Sequence, residues 1–206
     1  AEIQTAPLRP LPCQPGTFCL SGVAHNMTIP WVPSQPLGAV APQECIEGQY
    51  CEWASSSSVG TGPCHSGHYC PPGADAPLQT AIGSFSSTQG SMVSTLCFPG
   101  TYAELGSSVT CRICPAGFSC VGYGTYRPTI CSAGTYRSIA DSVTCRLCPP
   151  GTWSQYKGVQ DISMCEPCLA GRVCGFSSMT NLTESVPCPG GHVCGAGTST
   201  KIQFEH

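Results

Sequence analysis

The sequence predicts a small disulfide-rich fold, an elongated array of short β-hairpin and turn units with almost no helix. The chain has 18 cysteines among 206 residues, a density typical of disulfide scaffolds. Those cysteines recur in one frame that also fixes the place of a glycine. Apolar residues show no helical spacing, and 24 glycines and 20 prolines punctuate the chain, which disfavours any helix longer than a turn or two.

The frame begins with a cysteine and has glycine at the third position after it. The first cysteines are Cys13, Cys45, Cys64, Cys97, Cys114, Cys131, Cys148, Cys168 and Cys188. The glycines are Gly16, Gly48, Gly67, Gly100, Gly117, Gly134, Gly151, Gly171 and Gly191. A glycine fixed after a bonded cysteine predicts a turn with a positive φ angle or a close backbone approach.

The fifth position after the first cysteine holds an aromatic residue or valine in most units. The residues concerned are Phe18, Tyr50, Tyr69, Tyr102, Tyr136, Trp153, Val173 and Val193. The exception is Ser119, where Phe118 stands one place earlier. We expect this side chain to cover the disulfide of its own unit or of a neighbour, as the small apolar nucleus of each unit.

Spacing sorts the 18 cysteines into nine sequential pairs. The short form pairs residues six apart: Cys13 with Cys19, Cys45 with Cys51, Cys64 with Cys70, Cys114 with Cys120, Cys168 with Cys174, and Cys188 with Cys194. The long form pairs Cys97 with Cys111, Cys131 with Cys145, and Cys148 with Cys165. An interleaved pairing stays open among the close cysteines from Cys111 to Cys120 and from Cys165 to Cys174.

One degenerate copy of the frame supports the long pairing. Residues 131–148 read CSAGTYRSIADSVTCRLC, and residues 80–97 read TAIGSFSSTQGSMVSTLC. Thr80 therefore stands in place of Cys131, and Ser94 in place of Cys145. Joint loss is expected of two bonded cysteines, because a single orphaned thiol is a hazard in an oxidising compartment. Residues 80–96 are thus predicted to be a unit without its disulfide.

Four segments follow from this pattern. Residues 1–44 form a proline-rich extended arm with one short cysteine loop, and residues 45–79 hold two short units. Residues 80–174 hold the regular repeats, and residues 175–206 a terminal short unit and tail. We expect each unit to contact only its neighbours, which would give a rod, with a bent or compact arrangement as the alternative. Trp31, a large aromatic residue in the arm, is the candidate for an assembly contact.

The regular repeats resemble a known family. The stretches CFPGTYAELGSSVTCRICPAG (residues 97–117) and CSAGTYRSIADSVTCRLCPPGTW (residues 131–153) resemble the ephrin-receptor-like cysteine-rich repeat. That family is close to the disulfide ladders of growth-factor and tumour-necrosis-factor receptors. The resemblance is specific over residues 80–174, and elsewhere only the short cysteine form survives. It implies an extracellular scaffold and no particular ligand.

Composition indicates an extracellular protein, secreted or part of a surface appendage. Charged residues make up 9% of the chain, and the net charge of -3 gives no reason to expect nucleic acid or an anionic membrane as partner. No apolar run reaches 18 residues, so no membrane span is predicted. The first ten residues lack the layout of a signal peptide, so we expect a mature secreted chain or a piece of a larger one.

Both asparagines of the chain lie in acceptor sequons for N-glycosylation. Asn26 is followed by Met27 and Thr28, and Asn181 by Leu182 and Thr183. Because asparagine occurs nowhere else, we predict an N-glycan at each site.

Catalytic and metal chemistry find little support. Pairs such as Cys111 and Cys114 have zinc-knuckle spacing, but each cysteine also belongs to a repeat frame that assigns it to a disulfide. Asp141 and Asp161 are not clustered with other carboxylates, which argues against calcium. No triad can be assigned and paired cysteines offer no nucleophilic thiol, so we expect no metal, no cofactor and no enzymatic activity.

Two classes of function remain. In the first, the chain is the protomer of an extracellular fibre or surface appendage, and its partners are copies of itself and its own glycans. In the second, it is a ligand-binding or adhesive segment of a receptor ectodomain. The first is favoured because the sequence is uniform and lacks a distinctive insert that would serve as a binding site.

Overall fold

The structure is a computed structural model that describes residues 12–20, 42–139 and 143–200. Within these ranges the chain forms nine two-stranded antiparallel hairpins and no α-helix. Two 3-10 helices of three residues each, Ile162–Met164 and Leu182–Glu184, are the helical content of the described part. The predicted fold class, a disulfide-rich array of short hairpin units with almost no helix, is confirmed.

Every strand is two residues long, and consecutive strands pair. In chain order they are β1 (Thr17–Phe18) with β2 (Gln43–Glu44), β3 (Gln49–Tyr50) with β4 (Gly62–Pro63), β5 (His68–Tyr69) with β6 (Leu78–Gln79), β7 (Ser84–Phe85) with β8 (Thr95–Leu96), β9 (Thr101–Tyr102) with β10 (Arg112–Ile113), β11 (Phe118–Ser119) with β12 (Thr129–Ile130), β13 (Thr135–Tyr136) with β14 (Arg146–Leu147), β15 (Thr152–Trp153) with β16 (Glu166–Pro167), and β17 (Arg172–Val173) with β18 (Val186–Pro187).

The strands occupy the same place in each repeat. The first strand of a hairpin starts directly after the frame glycine, and the second ends directly before the first cysteine of the next unit. In the hairpin of β13 and β14, for example, Thr135 pairs with Leu147 and Tyr136 with Arg146. Each hairpin therefore spans the interval from one turn to the start of the next unit. Residues 80–96 follow the same plan without a cysteine.

All 18 cysteines are in disulfides, and these are the nine sequential pairs. Six disulfides close six-residue separations, and three close separations of 14 or 17 residues. The interleaved alternatives around Cys111 to Cys120 and Cys165 to Cys174 do not occur. Every covalent staple therefore lies inside a single unit.

Two backbone hydrogen bonds link most units to the next one along the chain. The first cysteine of a unit donates its N–H to the carbonyl of the preceding frame glycine, as Cys131 does to Gly117 at 2.9 Å. That glycine donates its own N–H to the residue six places after the cysteine, as Gly117 does to Arg137 at 2.8 Å. The same two bonds recur at eight junctions, which start at Gly16, Gly48, Gly67, Gly100, Gly117, Gly134, Gly151 and Gly171.

Units also touch the unit after next, so the expectation of contacts between neighbours alone was wrong. Gly117 has φ +78, and a Cβ atom there would lie 2.2 Å from the carbonyl oxygen of Gly158, two units further on. Five other frame glycines meet a carbonyl at 2.3 to 2.4 Å from the same position, namely Gly16, Gly48, Gly67, Gly134 and Gly151. The hairpins are so short that the second turn of a unit reaches back past its neighbour, and only glycine leaves room for it.

The apolar core consists of separate small clusters at successive disulfides. The side chain at the fifth position packs on the disulfide of the following unit. Phe18 lies with Cys45 and Cys51, and Tyr136 lies with Cys148, Cys165 and Val159. Tyr50 and Trp153 pack in the same way on the next disulfide. Of the two positions expected for this side chain, the neighbour's disulfide is therefore the one observed at these four sites.

The chain divides into two compact bodies. One comprises Ala1–Thr95 with Leu105–Thr110, and the other comprises Leu96–Glu104 with Cys111–His206. Each body contains the same junctions between units. We refer to them below as the N-terminal and the C-terminal body.

Candidate assembly surfaces

Exposed apolar side chains recur at one position of the repeat in the C-terminal body. The residue directly before the first cysteine is the last residue of β8, β10, β12 and β14 in four consecutive units. It is Leu96, Ile113, Ile130 and Leu147, each between 47% and 67% exposed. We call these four residues the apolar row. The residue therefore occupies the same place, at the end of the second strand, in each of these four hairpins.

The last unit has no second strand to complete its hairpin among the described residues. Val193 stands at the fifth position and is 93% exposed, whereas its counterparts Val173 and Tyr136 are 3% and 7% exposed. In the counterparts the second strand of the same hairpin pairs with this residue. Among the described residues, no second strand pairs with His192 and Val193, and neither backbone group of Gly191 forms a hydrogen bond. A Cβ atom at Gly191 would meet no described atom within 4 Å.

Asn181 lies in an exposed turn that suits a glycan acceptor. Its side chain caps the 3-10 helix Leu182–Glu184, and Oδ1 accepts a hydrogen bond from the N–H of Thr183 at 3.0 Å. Asp161 takes the same place one unit earlier and accepts from the N–H of Ser163 at 2.9 Å. That hydrogen bond lowers the pKa of the Asp161 carboxyl. The sequence pattern thus falls on a turn open to solvent.

Thr80 fills the position of the missing cysteine. Its side chain is 1% exposed, and Oγ1 forms no hydrogen bond with any described residue. Ser94, at the other missing cysteine, is half-buried. A buried hydroxyl without a partner costs free energy, because it has lost its hydrogen bonds to water. The degenerate unit therefore lacks a staple and also carries a polar group in its small core.

Arg137 is a buried residue whose contacts the sequence did not predict. It occupies the sixth position of its unit, where short units have their second cysteine. Its guanidinium donates to the carbonyls of Cys114 and Pro115 in the preceding unit, at 3.2 and 3.0 Å. Burial lowers the pKa of this guanidinium. The spacing within the unit offered no signal for this contact, because the contact depends on how units stack.

Two predicted site residues, Asn26 and Trp31, lie outside the described residues. Within residues 12–20, 42–139 and 143–200, His, Cys, Asp and Glu side chains do not gather in threes as a metal site would require. No helix of the described part has the length and apolar character needed to cross a membrane.

Comparison with protein families and with curated proteins finds no match to this chain.

Proposed function

We propose that the chain is a non-enzymatic extracellular structural protein, the glycosylated protomer of a fibre or surface appendage. The apolar row is the observation that carries this proposal. Four apolar side chains at the same repeat position of consecutive units are left in water by a single chain. Covering apolar surface is favourable by roughly 25 cal/mol per Å², so a second copy laid alongside would gain from each repeat in turn.

The disulfides support an extracellular role. Each closure stabilises its unit by about 2 to 3 kcal/mol in the chain-entropy account, which allows units with little core to stay folded. Such bonds persist in oxidising surroundings. Because every staple lies inside one unit, damage to one unit leaves the others closed. These are properties that suit a durable extracellular scaffold.

The low charge supports close packing of copies. With 9% charged residues and a net charge of -3, neighbouring chains repel each other little. One surface ion pair, between Arg112 and Glu104 at 3.3 Å, is exposed on both sides and contributes little to stability. N-glycans at Asn26 and Asn181 would keep so uncharged a chain soluble until it assembles. The glycans are part of the proposal.

The test is whether the oxidised chain polymerises through the apolar row. We expect the purified protein to form filaments or lateral bundles, seen by electron microscopy and sedimentation. Ile113→Asp should weaken lateral association, because a carboxylate would be buried in the contact. Leu105→Asp is the matched control, since Leu105 is 66% exposed and lies outside the row. Wild-type protein that stays monomeric at all concentrations would contradict the proposal and favour a receptor segment.

A further inference from the structure

The two ends of the repeat array lack opposite halves of the junction that recurs eight times along the chain. At the C-terminal end, the N–H and carbonyl of Gly191 have no described partner. At the N-terminal end, the N–H of Cys13 and the carbonyl of Cys19 have none either. In every one of the eight junctions, these are the four groups that bond to one another. Each end therefore presents what the other end needs.

We propose that the N-terminal unit of a second copy docks on the C-terminal unit of the first and re-forms the standard junction. Cys13 of the incoming copy would donate its N–H to the carbonyl of Gly191, and Gly191 would donate its N–H to the carbonyl of Cys19. The inner equivalents of these two bonds measure 2.8 to 3.2 Å. This inference deepens the proposed function and depends on it, because it names the contact along the fibre.

The sequence before Cys13 matches the strand that the last hairpin lacks. Leu11-Pro12-Cys13 has the same form as Glu166-Pro167-Cys168 and Val186-Pro187-Cys188. In those two places the residues before the cysteine are β16 and β18, the second strands of their hairpins. By the register of β17 and β18, where Arg172 faces Pro187, Pro12 of the incoming copy would face His192. Val193 would then be covered as Val173 is.

The contact with the unit after next is also available. Ala54 has φ 63 and donates its N–H to the carbonyl of Cys13 at 3.0 Å. Gly73 makes the same bond to Cys45, and the carbonyl of Gly73 fills the space at Gly16. Ala54 of the incoming copy is therefore placed to fill the open space at Gly191. Three separate contacts of the inner junction can be repeated with no change in either end.

A junction of this kind is heterologous, because the surfaces at the two ends differ. Each added copy leaves a free end of the same type, and the product is an open polymer when the rotation from copy to copy does not close a ring. The added strand contributes main-chain hydrogen bonds, as in other cases of strand addition to an open edge. A second copy is the occupant we infer because both missing halves are found on this one chain.

Val193→Asp tests the inference, with Val121→Asp as the matched control. Both valines are exposed, Val193 at 93% and Val121 at 56%, so both variants should fold with native disulfides. Val193→Asp would place a carboxylate in the proposed junction, and its filaments should be lost or many-fold shorter. Val121→Asp should leave the filament length unchanged. Length is measured by electron microscopy and mass by sedimentation.

Mixing variant and wild-type chains tests which end of the incoming copy docks. A Val193→Asp chain keeps a normal N-terminal unit, so it can add to a growing end and then block further growth. A small molar fraction added to wild-type chains should shorten the filaments several-fold, and the same fraction of Val121→Asp should not. Val193→Asp filaments of wild-type length would overturn the end contact and leave the proposed function standing. If Val193→Asp chains do not assemble and also do not shorten wild-type filaments, the pairing with the N-terminal unit would be overturned. A monomeric wild-type chain would overturn both.

Discussion

Glycine is needed at the frame position for two reasons, its positive φ angle and the space it leaves for a carbonyl. The sequence predicts only the first. The recurrence of glycine after the first cysteine predicts a turn with positive φ, and Gly117 has φ +78. The second reason is space for the carbonyl of Gly158, which comes from the unit after next. The facing residue could not be recognised in advance, because serine also serves there, as Ser107 and Ser178 do at φ 58 and 59.

Gly117→Ala should destabilise the chain by about 2 to 4 kcal/mol. The added Cβ would meet the carbonyl of Gly158 and hold an unfavourable φ angle, and each effect costs 1 kcal/mol or more as a rough estimate. Gly122→Ala is the control, because no atom lies within 4 Å of the position its Cβ would take. The free energy of unfolding in denaturant, with the disulfides intact, measures both. Equal loss in the two variants would contradict the steric account.

Thr80→Val should stabilise the chain by about 1 to 2 kcal/mol. The change keeps the shape of the side chain and removes a buried hydroxyl that has no hydrogen-bond partner among the described residues. Thr88→Val serves as the comparison, because the hydroxyl of Thr88 is exposed and lies 3.0 Å from that of Ser91. Unfolding in denaturant should separate the two. A loss of stability in Thr80→Val would show that the hydroxyl is satisfied.

At the scale of the unit, the cysteine spacing was enough to predict the covalent pattern. Two cysteines six residues apart, such as Cys114 and Cys120, flank one turn and one strand, so their side chains are brought together locally. The contacts of the residue at the sixth position after the first cysteine of a long unit could not be predicted from the spacing. Arg137 is held there by carbonyls of the preceding unit. Such a contact depends on how units stack, and the spacing within one unit carries no information about it.

Restoring both missing cysteines should restore the staple of the degenerate unit. In Thr80→Cys/Ser94→Cys, a disulfide equivalent to that between Cys131 and Cys145 should form and add about 3 kcal/mol of stability for a loop of this length. Non-reducing peptide mapping identifies the bond, and unfolding with and without reductant measures its effect. The reduced double variant is the control. Pairing of either new cysteine with a native one would contradict the assigned frame.

The two capped turns allow a matched test of glycosylation. We expect an N-glycan at Asn181 in protein from its natural source, and Asn181→Gln should remove it, as read by mass spectrometry. Asp161 holds the same place in the preceding unit and is followed by Ile162 and Ser163. Asp161→Asn should therefore gain a glycan in a glycosylating host. A bare Asn181 in natural protein would contradict the expectation.

At the scale of the whole chain, the sequence identified the repeats, while their mutual contacts needed the structure. The frame is a short sequence pattern, so residues such as Cys131 and Gly134 identify a unit without knowledge of the rest of the fold. Contact between Gly134 and Ser178 joins residues far apart in sequence and depends on the twist and length of the hairpins between them. The same reason explains why rod-like stacking of neighbours was expected and contact with the unit after next was not.

The placement of the disulfides also determines how the chain would respond to pulling. A loop closed by a disulfide cannot lengthen, so tension can draw out only the chain between one staple and the next. Residues 71–96 are the longest such stretch, and they contain the buried Thr80 hydroxyl. Fully drawn out, this stretch would span roughly 90 Å at about 3.4 Å per residue. Single-molecule stretching should record the extension of this stretch, and Thr80→Cys/Ser94→Cys should shorten it, so the degenerate unit would be one of the extensible links between the staples of the chain.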